Sequence, residues 1–444
     1  MIEIAPSPRK AGRRPRRGPG RGRQAGPRYP EFDALRATAI LLVVTLHSAL
    51  AYTHHDIPRL LWGVREPSPH AAIDLFCWWA MGVSVPLFFA ISGFFAAAVE
   101  SARGPSAFLA GRVRRVVLPA MASAPVVLPL CFFAWSLGWL ATNRCTTTEF
   151  RRMRFLDPAI MHELYGPAHL WFLEYLILML AAFWAVRALD DPGRRRRRTR
   201  PGRRLLAWWS PLALAIPSGL LLFVAREASG IDSALDRHNS FLPDPIRLAY
   251  YAAFFGFGVG AFRDRSRLDA LAGRAWWYLA ASVPAFVVRA ALLPRDWSGP
   301  LAEPRAMAMA AAGGLFAWLT LFGLLGLYRR HLARPSPAAR YLAGASFWVY
   351  LVHLPIVGLI QADLIGVPWP TAAKFALTWA LTMTLGLASY HVLARRTALG
   401  RFLGGRAGAG RASRPLAAAA TIRVDPAMLI RPRRPIPRRR RSGR

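Results

Sequence analysis

Residues 29–52 read YPEFDALRATAILLVVTLHSALAY, and this stretch decides the fold of the chain. Its apolar part is long enough to cross a bilayer as a helix, which takes about 20 residues. Arg36 and His47 are eleven residues apart. On a helix both then project from one face, about 16 Å apart along the axis. Ionisable groups inside a membrane helix are costly and usually functional, so the stretch predicts a membrane span that carries a site.

The composition of the whole chain extends this prediction. The 444 residues are 54% hydrophobic, yet their formal net charge is +36. A basic soluble protein would suggest nucleic-acid binding, but here the arginines are separated from long apolar runs and gather in tails and short connections. This segregation is typical of a polytopic membrane protein with the lipid bilayer as its partner, and we expect no nucleic-acid partner.

Ten apolar segments of near-span length predict an all-α, polytopic membrane helix bundle of about ten transmembrane helices. The connections after even-numbered segments carry about 20 arginines, and those after odd-numbered segments carry about half that number. This asymmetry predicts a multi-pass protein of the cell (inner) membrane with both termini in the cytoplasm. The glycine-rich sixth segment is the weakest. The segments are 34–52, 74–98, 116–140, 168–188, 205–225, 246–262, 275–294, 306–328, 341–361 and 371–394.

The chain divides into one apolar domain between two basic tails. Residues 1–28 and 396–444 are rich in Arg, Pro and Gly and hold few groups that build a core. We expect both tails to be largely disordered in the cytoplasm. Residues 29–395 hold all ten segments and form the membrane domain.

No metal site is expected. The three cysteines form no CxxC pair, so they predict packing residues rather than a disulfide scaffold or a zinc site. A group of polar residues between the first two segments lacks regular metal-ligand spacing. That group is His54, His55, Asp56 and His70.

His47 is the candidate general base. Apolar surroundings disfavour a charged imidazole, so a neutral side chain able to accept a proton is expected. Asp33 lies one turn before Arg36 and is placed to orient it. The alternative is a histidine bonded to a neighbouring helix, with an arginine that only reaches towards the interface. The spacing leaves both interpretations open.

Two further segments, in the second span and at the start of the third, carry candidates. In GRVRRVVLPA (111–120), Arg112 and Arg115 share a helix face, and planar guanidinium groups bind phosphate at two points. An ordinary positive-inside cluster is the alternative. In VPLFFAISGFFAA (85–97), Ser92 and Gly93 form a small pair that predicts close helix packing beside a pocket.

Two other segments carry polar residues inside apolar runs. GPAHLWFLEYL (166–176) contains His169 and Glu174, of which the acid is the harder to explain by packing. In ASFWVYLVHLPIV (345–357), Ser346, Tyr350 and His353 recur at i, i+4 and i+7 and share a face. Such a stripe lines either a bundle interface or a cavity.

Taken together, these motifs resemble the integral-membrane acyltransferase family 3. The resemblance covers residues 29–395. Within the family, the sequence is most similar to the glucan biosynthesis protein C branch, which is associated with succinylation of periplasmic glucans. One departure is that Tyr390-His391 stands where many relatives have a glutamate-proline pair. The motifs, in family order, are D-x-L-R with R-x10-H (Asp33, Arg36, His47), FFxxSGF (88–94), RxxR (112–115), HLWFL (169–173) and S-x-x-x-YLVH (346–353).

The resemblance implies an O-acyltransferase. It would move an acyl group, succinyl or acetyl, from cytoplasmic acyl-CoA to a hydroxyl of a periplasmic or membrane-linked glucan or other carbohydrate. His47 would be catalytic, and acyl-CoA would be a substrate, with no bound cofactor. The rival class is a transporter or flippase of an anionic solute or glycolipid, which would use the same charged residues as a pathway. The implied donor-binding residues are Arg36, Arg112 and Arg115, and the pocket candidates are Asp33, Ser92, His169, Glu174, Tyr350 and His353.

Overall fold

The computed structural model describes residues 29–55, 57, 60–190, 211–229, 239–293, 302–395, 397 and 400. Within these ranges the chain is helical and contains no strand, which confirms the predicted all-α class. The prediction of disordered tails falls on residues outside the described ranges, apart from 397 and 400.

Long helices dominate the described chain. Two short 3₁₀ turns, Leu50–Tyr52 and Ala168–Leu170, and two π-helical segments, Val113–Val117 and Tyr390–Ala394, join or extend them. The α-helices are α1 (Pro30–Ala49), α2 (Ala71–Arg103), α3 (Pro105–Arg112), α4 (Leu118–Ala141), α5 (Thr147–Arg152), α6 (Pro158–Leu164), α7 (Trp171–Leu189), α8 (Pro211–Ser229), α9 (Pro245–Arg263), α10 (Ser266–Ala291), α11 (Glu303–His331), α12 (Pro337–Leu364) and α13 (Thr371–Ser389).

Each of the ten predicted segments falls on one of these helices. Eight helical stretches of the described chain are long and apolar enough to cross a membrane. The fifth predicted segment corresponds to the shorter apolar helix Pro211–Arg226. The sixth corresponds to α9, which has 19 residues but whose arginines, tyrosines and glycines lower its hydropathy. A polytopic helical bundle is therefore confirmed.

The glycines of α9 explain how this weakly apolar helix is held in the bundle. A Cβ on Gly258 would lie 1.9 Å from the carbonyl oxygen of Ala90, and one on Gly93 would lie 1.9 Å from that of Phe255. Small residues let the backbones of membrane helices approach closely, so α2 and α9 cross at these two points. The predicted close packing at Ser92-Gly93 is confirmed.

A sharp turn between α2 and α3 brings basic residues beside α2. Gly104 adopts a φ of +78°, which glycine reaches without the steric cost of a side chain, and its N–H donates to the carbonyl of Glu100 at 2.7 Å. The chain then continues through α3 into the π-helical segment Val113–Val117. One extra residue per turn in a π-helix re-aims the side chains around it, and such segments often occur at functional sites.

A loop between α1 and α2 is fastened to the opposite end of the bundle. Lys374 of α13 is buried and donates to both carboxylate oxygens of Glu66, at 2.9 and 3.0 Å. A buried lysine in a membrane helix requires such a partner. Nearby, the indole N–H of Trp62 donates to Oε1 of Gln361 at 2.7 Å. Together these contacts hold the loop against the bundle close to His47.

Candidate active site

A hydrogen-bonded pair of histidines lies at the centre of the site. Nδ1 of His353 is 2.7 Å from the carbonyl oxygen of Tyr350 and 3.2 Å from that of Val349. A carbonyl only accepts, so Nδ1 of His353 carries a proton, and in the neutral ring Nε2 is the acceptor. Nε2 lies 3.0 Å from Nδ1 of His47. His47 therefore donates from Nδ1, and the lone pair of its neutral ring is on Nε2.

A proline in α12 provides the acceptor that holds the third histidine. Pro355 has no N–H, so the carbonyl of Leu351, four residues earlier, lacks its helical donor. Nε2 of His169 lies 3.3 Å from this oxygen and donates to it. Nδ1 of His169 is 4.0 Å from Sγ of Cys131, whose thiol is the donor. Both ring nitrogens of His169 are thus engaged, which suits a cavity wall better than a base.

A cavity of about 120 Å³, here called the histidine cavity, opens beside His47 and His169. Trp62 lies nearly parallel to His47, with ring centroids 6.0 Å apart and an angle of 12°. Besides the histidines and Tyr350, the mainly apolar lining contains the hydroxyl of Ser84. Ser84 is 1% exposed, and its Oγ has no hydrogen-bond partner in the described structure. The other aromatic lining residues are Phe88, Trp135, Trp171, Phe172, Tyr251 and Tyr350.

A larger cavity of about 520 Å³, here called the arginine cavity, lies beside the first turns of α1. The guanidinium of Arg36 donates to Oγ of Ser346 at 3.2 Å and lies 5.8 Å from the ring centre of Phe95. The guanidinium of Arg112 donates to the carbonyl of Phe95 at 3.1 Å. The polar residues that line this cavity are Asp33, Arg36, Ser92, Arg112, Arg115, Arg340, Ser346, Tyr350 and Tyr390.

The four arginines give the arginine cavity a positive field. Coulombic repulsion from both Arg115 and Arg36 acts on Arg112, so these guanidinium groups lie within electrostatic range of one another. Asp33 supplies one carboxylate and interacts with Arg36. Clustered like charges in a partly enclosed site favour binding of an anion with several negative charges.

The two cavities share three lining residues, Phe88 of α2, Phe172 of α7 and Tyr350 of α12. We call this set the aromatic partition. Ring centroids are 5.6 Å apart for Phe88 and Phe172, and 5.8 Å apart for Phe172 and Tyr350. The hydroxyl of Tyr350 donates to the backbone carbonyl of His169. The arginine and histidine cavities therefore meet across a layer of aromatic rings.

The structure brings most of the predicted site residues to these cavities. The stripe on α12 combines the two alternatives: Ser346 and Tyr350 line a cavity, whereas His353 lines neither cavity. Two of its residues bond to α1, Ser346 to Arg36 and His353 to His47. Glu174 also lines neither cavity. One of its carboxylate oxygens is buried without a hydrogen-bond partner in the described structure.

Some lining residues were missed by the sequence analysis. Arg340 belongs to a basic connection, where a binding arginine is indistinguishable from a topology signal. Ser84 and Phe172 lie in apolar runs whose composition is typical of packing. Trp62 lies in a loop, and its polar flanks Arg59, Arg65 and Glu66 gave no periodic signal that would have pointed to it.

The histidines between α1 and α2 have structural partners. Nδ1 of His55 is 2.9 Å from Oδ2 of Asp74, and the backbone N–H of His54 donates to the same carboxylate. Nδ1 of His70 accepts from the N–H of Ala72 and caps α2. Among the described residues no group of three or more His, Cys, Asp or Glu side chains is arranged to hold a metal ion. Asp56 lies outside the described residues.

Comparison with known proteins identifies the family. The sequence profile of acyltransferase family 3, described as an acyltransferase domain, matches residues 29–391. This chain belongs to acyltransferase family 3. It is also similar to glucans biosynthesis protein C of Salmonella schwarzengrund strain CVM19633, with 23% identity over 379 residues that cover 82% of this chain and 90% of that protein. No solved structure matches the chain significantly.

A second relative gives the same result. Glucans biosynthesis protein C of Salmonella heidelberg strain SL476 is 23% identical over 347 residues, which cover 74% of this chain and 82% of that protein. The family 3 match spans nearly the whole helical bundle. The protein is therefore a multi-pass membrane acyltransferase, and family membership favours the enzyme over the transporter or flippase alternative.

Proposed function

We propose that this acyltransferase moves a succinyl or acetyl group from acyl-CoA to a hydroxyl of a glucan or other carbohydrate, free or linked to the membrane. The single observation that carries the proposal is that the arginine cavity and the histidine cavity meet at the aromatic partition. A polyanion bound at one end thus has a reactive group within reach of a candidate base at the other.

The arginine cavity suits the phosphate groups of CoA. Guanidinium groups bind phosphate through two parallel hydrogen bonds, and the field of four arginines adds to each contact. Arg36 and His47 lie on one face of α1 and are separated along its axis by about 16 Å. The flexible pantetheine arm of CoA would bridge this distance and deliver the thioester to the histidine cavity.

The tautomer of His47 suits proton abstraction. Its Nδ1 donates to His353, so in the neutral ring Nε2 carries the lone pair that would take the proton of an acceptor hydroxyl. The alkoxide oxygen then attacks the thioester carbonyl, the C–S bond breaks, and the thiolate of CoA leaves and takes up the proton. Attack by Nε2 itself would instead give an acyl-histidine stage.

The negative charge that develops on the carbonyl oxygen needs a donor. Ser84 lines the histidine cavity with a buried hydroxyl that lacks a partner in the described structure. A hydroxyl placed before the reaction in an apolar cavity stabilises such an oxyanion without reorganisation. We assign Ser84 this role.

One observation supports the proposed direction of transfer, and another supports the proposed acceptor. The loop-charge asymmetry favours both termini in the cytoplasm, and the arginine cavity would then lie on the cytoplasmic side of the inner membrane. The names of the two Salmonella relatives refer to glucan biosynthesis. CoA would stay inside while the acyl group crosses the partition to an acceptor on the outer side.

The decisive experiment is acyl transfer by the purified full-length protein in detergent. Acetyl-CoA and succinyl-CoA are supplied with a glucan oligosaccharide, and both CoA release and product mass are measured. Transfer that depends on His47 is expected. Absence of turnover with either donor, in protein whose fold is intact, would contradict the proposal. Incubation with labelled donor and no acceptor separates direct transfer from an acyl-histidine stage, because only the latter labels the protein.

A further inference from the structure

The aromatic partition stands at one level of the bundle on three helices. On α2, Ser84 lines the histidine cavity, Phe88 lines both cavities, and Phe95 lines the arginine cavity. Ser84 and Phe88 are one helical turn apart, about 6 Å along the axis. The partition is therefore a thin layer, and a group that passes it meets the Ser84 hydroxyl one turn beyond.

The order of residues on α12 is the same. Ser346 lines the arginine cavity, Tyr350 lines both cavities, and Leu354 lines the histidine cavity. On α7, Trp171 lines the histidine cavity, and the next residue, Phe172, lines both. Three helices from distant parts of the chain thus place an aromatic ring at the same height between the two cavities.

The three rings are not held equally. Tyr350 is fixed by its hydrogen bond to the backbone of His169 and by the ring of His169, whose centroid is 5.3 Å away. Phe88 and Phe172 have no polar atom to anchor them, although all three residues are partly buried. Phe172 also packs on Phe89, with centroids 4.7 Å apart. Tyr350 is therefore the fixed ring of the partition. The width of the gap beside it depends on the side-chain volumes of Phe88 and Phe172.

We propose that Phe88 and Phe172 are specificity-determining residues that limit the length of the acyl group and keep water from the thioester. This inference rests on the proposed function. A donor held by its phosphates in the arginine cavity must pass its thioester between these rings to reach His47. A slot bounded by close-packed aromatic rings passes the thin pantetheine arm with a short acyl group and rejects a longer one.

The small volume beyond the partition supports a length limit. The histidine cavity measures about 120 Å³, against about 520 Å³ for the arginine cavity, and it must hold the acyl group together with the acceptor hydroxyl. Its lining is mainly apolar and aromatic, so a closed partition leaves the reacting groups poorly hydrated. Exclusion of water suppresses hydrolysis of a reactive acyl group.

The test compares Phe88→Ala and Phe172→Ala with the wild-type protein. Purified full-length proteins are assayed with acetyl-, butyryl- and hexanoyl-CoA, with and without a glucan oligosaccharide. We expect the ratio of kcat/KM for hexanoyl-CoA to that for acetyl-CoA to rise at least tenfold in both variants. CoA release without acceptor should rise as well, because water reaches the thioester.

The matched control is Phe95→Ala, on the same helix face but lining only the arginine cavity. It is expected to change donor affinity for all chain lengths together and to leave the ratio within twofold. Phe172→Leu and Phe172→Trp extend the test: the leucine should widen the range of donors, and the tryptophan should remove butyryl transfer while acetyl transfer persists. Either substitution keeps a large apolar side chain in the site if alanine prevents folding.

The outcomes separate the two proposals. A wild-type protein that acylates the acceptor, together with partition variants whose chain-length ratio and acceptor-independent CoA release are unchanged, would overturn the filter and leave the acyltransferase intact. A wild-type protein that turns over neither these donors nor succinyl-CoA would overturn the proposed function and the filter with it. A raised ratio in Phe95→Ala equal to that in the partition variants would also count against a filter at this level.

Discussion

Nε2 of His353 and Nδ1 of His47 lie 3.0 Å apart and join α12 to α1 across 306 positions of sequence. The bond sets the tautomer of His47, because Nδ1–H of His353 already donates to the carbonyls of Tyr350 and Val349, which leaves Nε2 of His353 as an acceptor. Loss of this partner would remove the contact that selects this tautomer of His47. The pair thus gives His47, the proposed base, a defined tautomer.

The most direct prediction concerns His47, the proposed base. His47→Gln should reduce acyl transfer by about 10²- to 10⁴-fold, the usual contribution of general-base catalysis, while acyl-CoA still binds. Transfer in detergent is measured beside CoA binding and size-exclusion behaviour. A rate near that of the wild type in folded protein would remove His47 from the mechanism.

His353 is predicted to act as a positioning residue. His353→Leu should lower kcat by about 10- to 100-fold, as loss of an orienting partner of a functional histidine typically does, with little change in KM for the donor. His353→Gln should retain more activity, because its amide oxygen can accept the Nδ1–H of His47. Partial rescue by glutamine and an altered pH profile of kcat distinguish orientation from a merely structural effect. Equal activity of the two variants would argue against it.

The arginine cavity should control donor affinity. Arg115→Ala is expected to raise KM for acyl-CoA about tenfold or more, since hydrogen bonds to charged groups are worth roughly 1.5–3 kcal/mol, and to change kcat less. Arg115→Lys should rescue only in part, because an ammonium lacks the planar fork. Arg114→Ala is the matched control, because Arg114 lies in the same π-helical segment but does not line the cavity. Unchanged CoA affinity in Arg112→Ala/Arg115→Ala protein would reduce the cluster to a topology signal.

Ser84 should contribute to the rate and not to donor binding. Loss of one oxyanion donor typically costs about 10²- to 10³-fold in kcat, and we expect Ser84→Ala to fall near the lower end with KM little changed. Ser136→Ala is the control, because Ser136 is also buried with an unpartnered hydroxyl in the described structure but lines neither cavity. Stopped-flow or steady-state measurement of CoA release gives kcat and KM for both variants. A similar loss in the two variants would indicate a packing effect.

Topology provides a test that does not depend on activity. The distribution of arginines in the connections predicts that a reporter fused after Arg395 reads cytoplasmic and that one inserted in 141–167 reads external. An external reading after Arg395 would show that one predicted span does not cross the membrane. The span to test first would then be α9, which is not among the eight helices of the described chain that are long and apolar enough to cross a membrane.

Helical periodicity is local, and for this reason the sequence by itself determined much of the architecture. Apolar length placed the ten segments, and 3.6-residue spacing put Arg36 and His47 on one face of α1 and Ser346, Tyr350 and His353 on one face of α12. The motif order was enough to indicate the family, which the match over residues 29–391 then confirmed. Each of these conclusions depends only on residues within one helix or on their order along the chain.

The tertiary structure alone decided which faces meet. It paired His47 with His353, set Phe88, Phe172 and Tyr350 at one level, and left Glu174 outside both cavities. Periodicity says which residues share a face but not which helix that face contacts, because helix order and crossing depend on packing between residues hundreds of positions apart. The tautomer of His47 is such a property: it follows from a proton held by another helix.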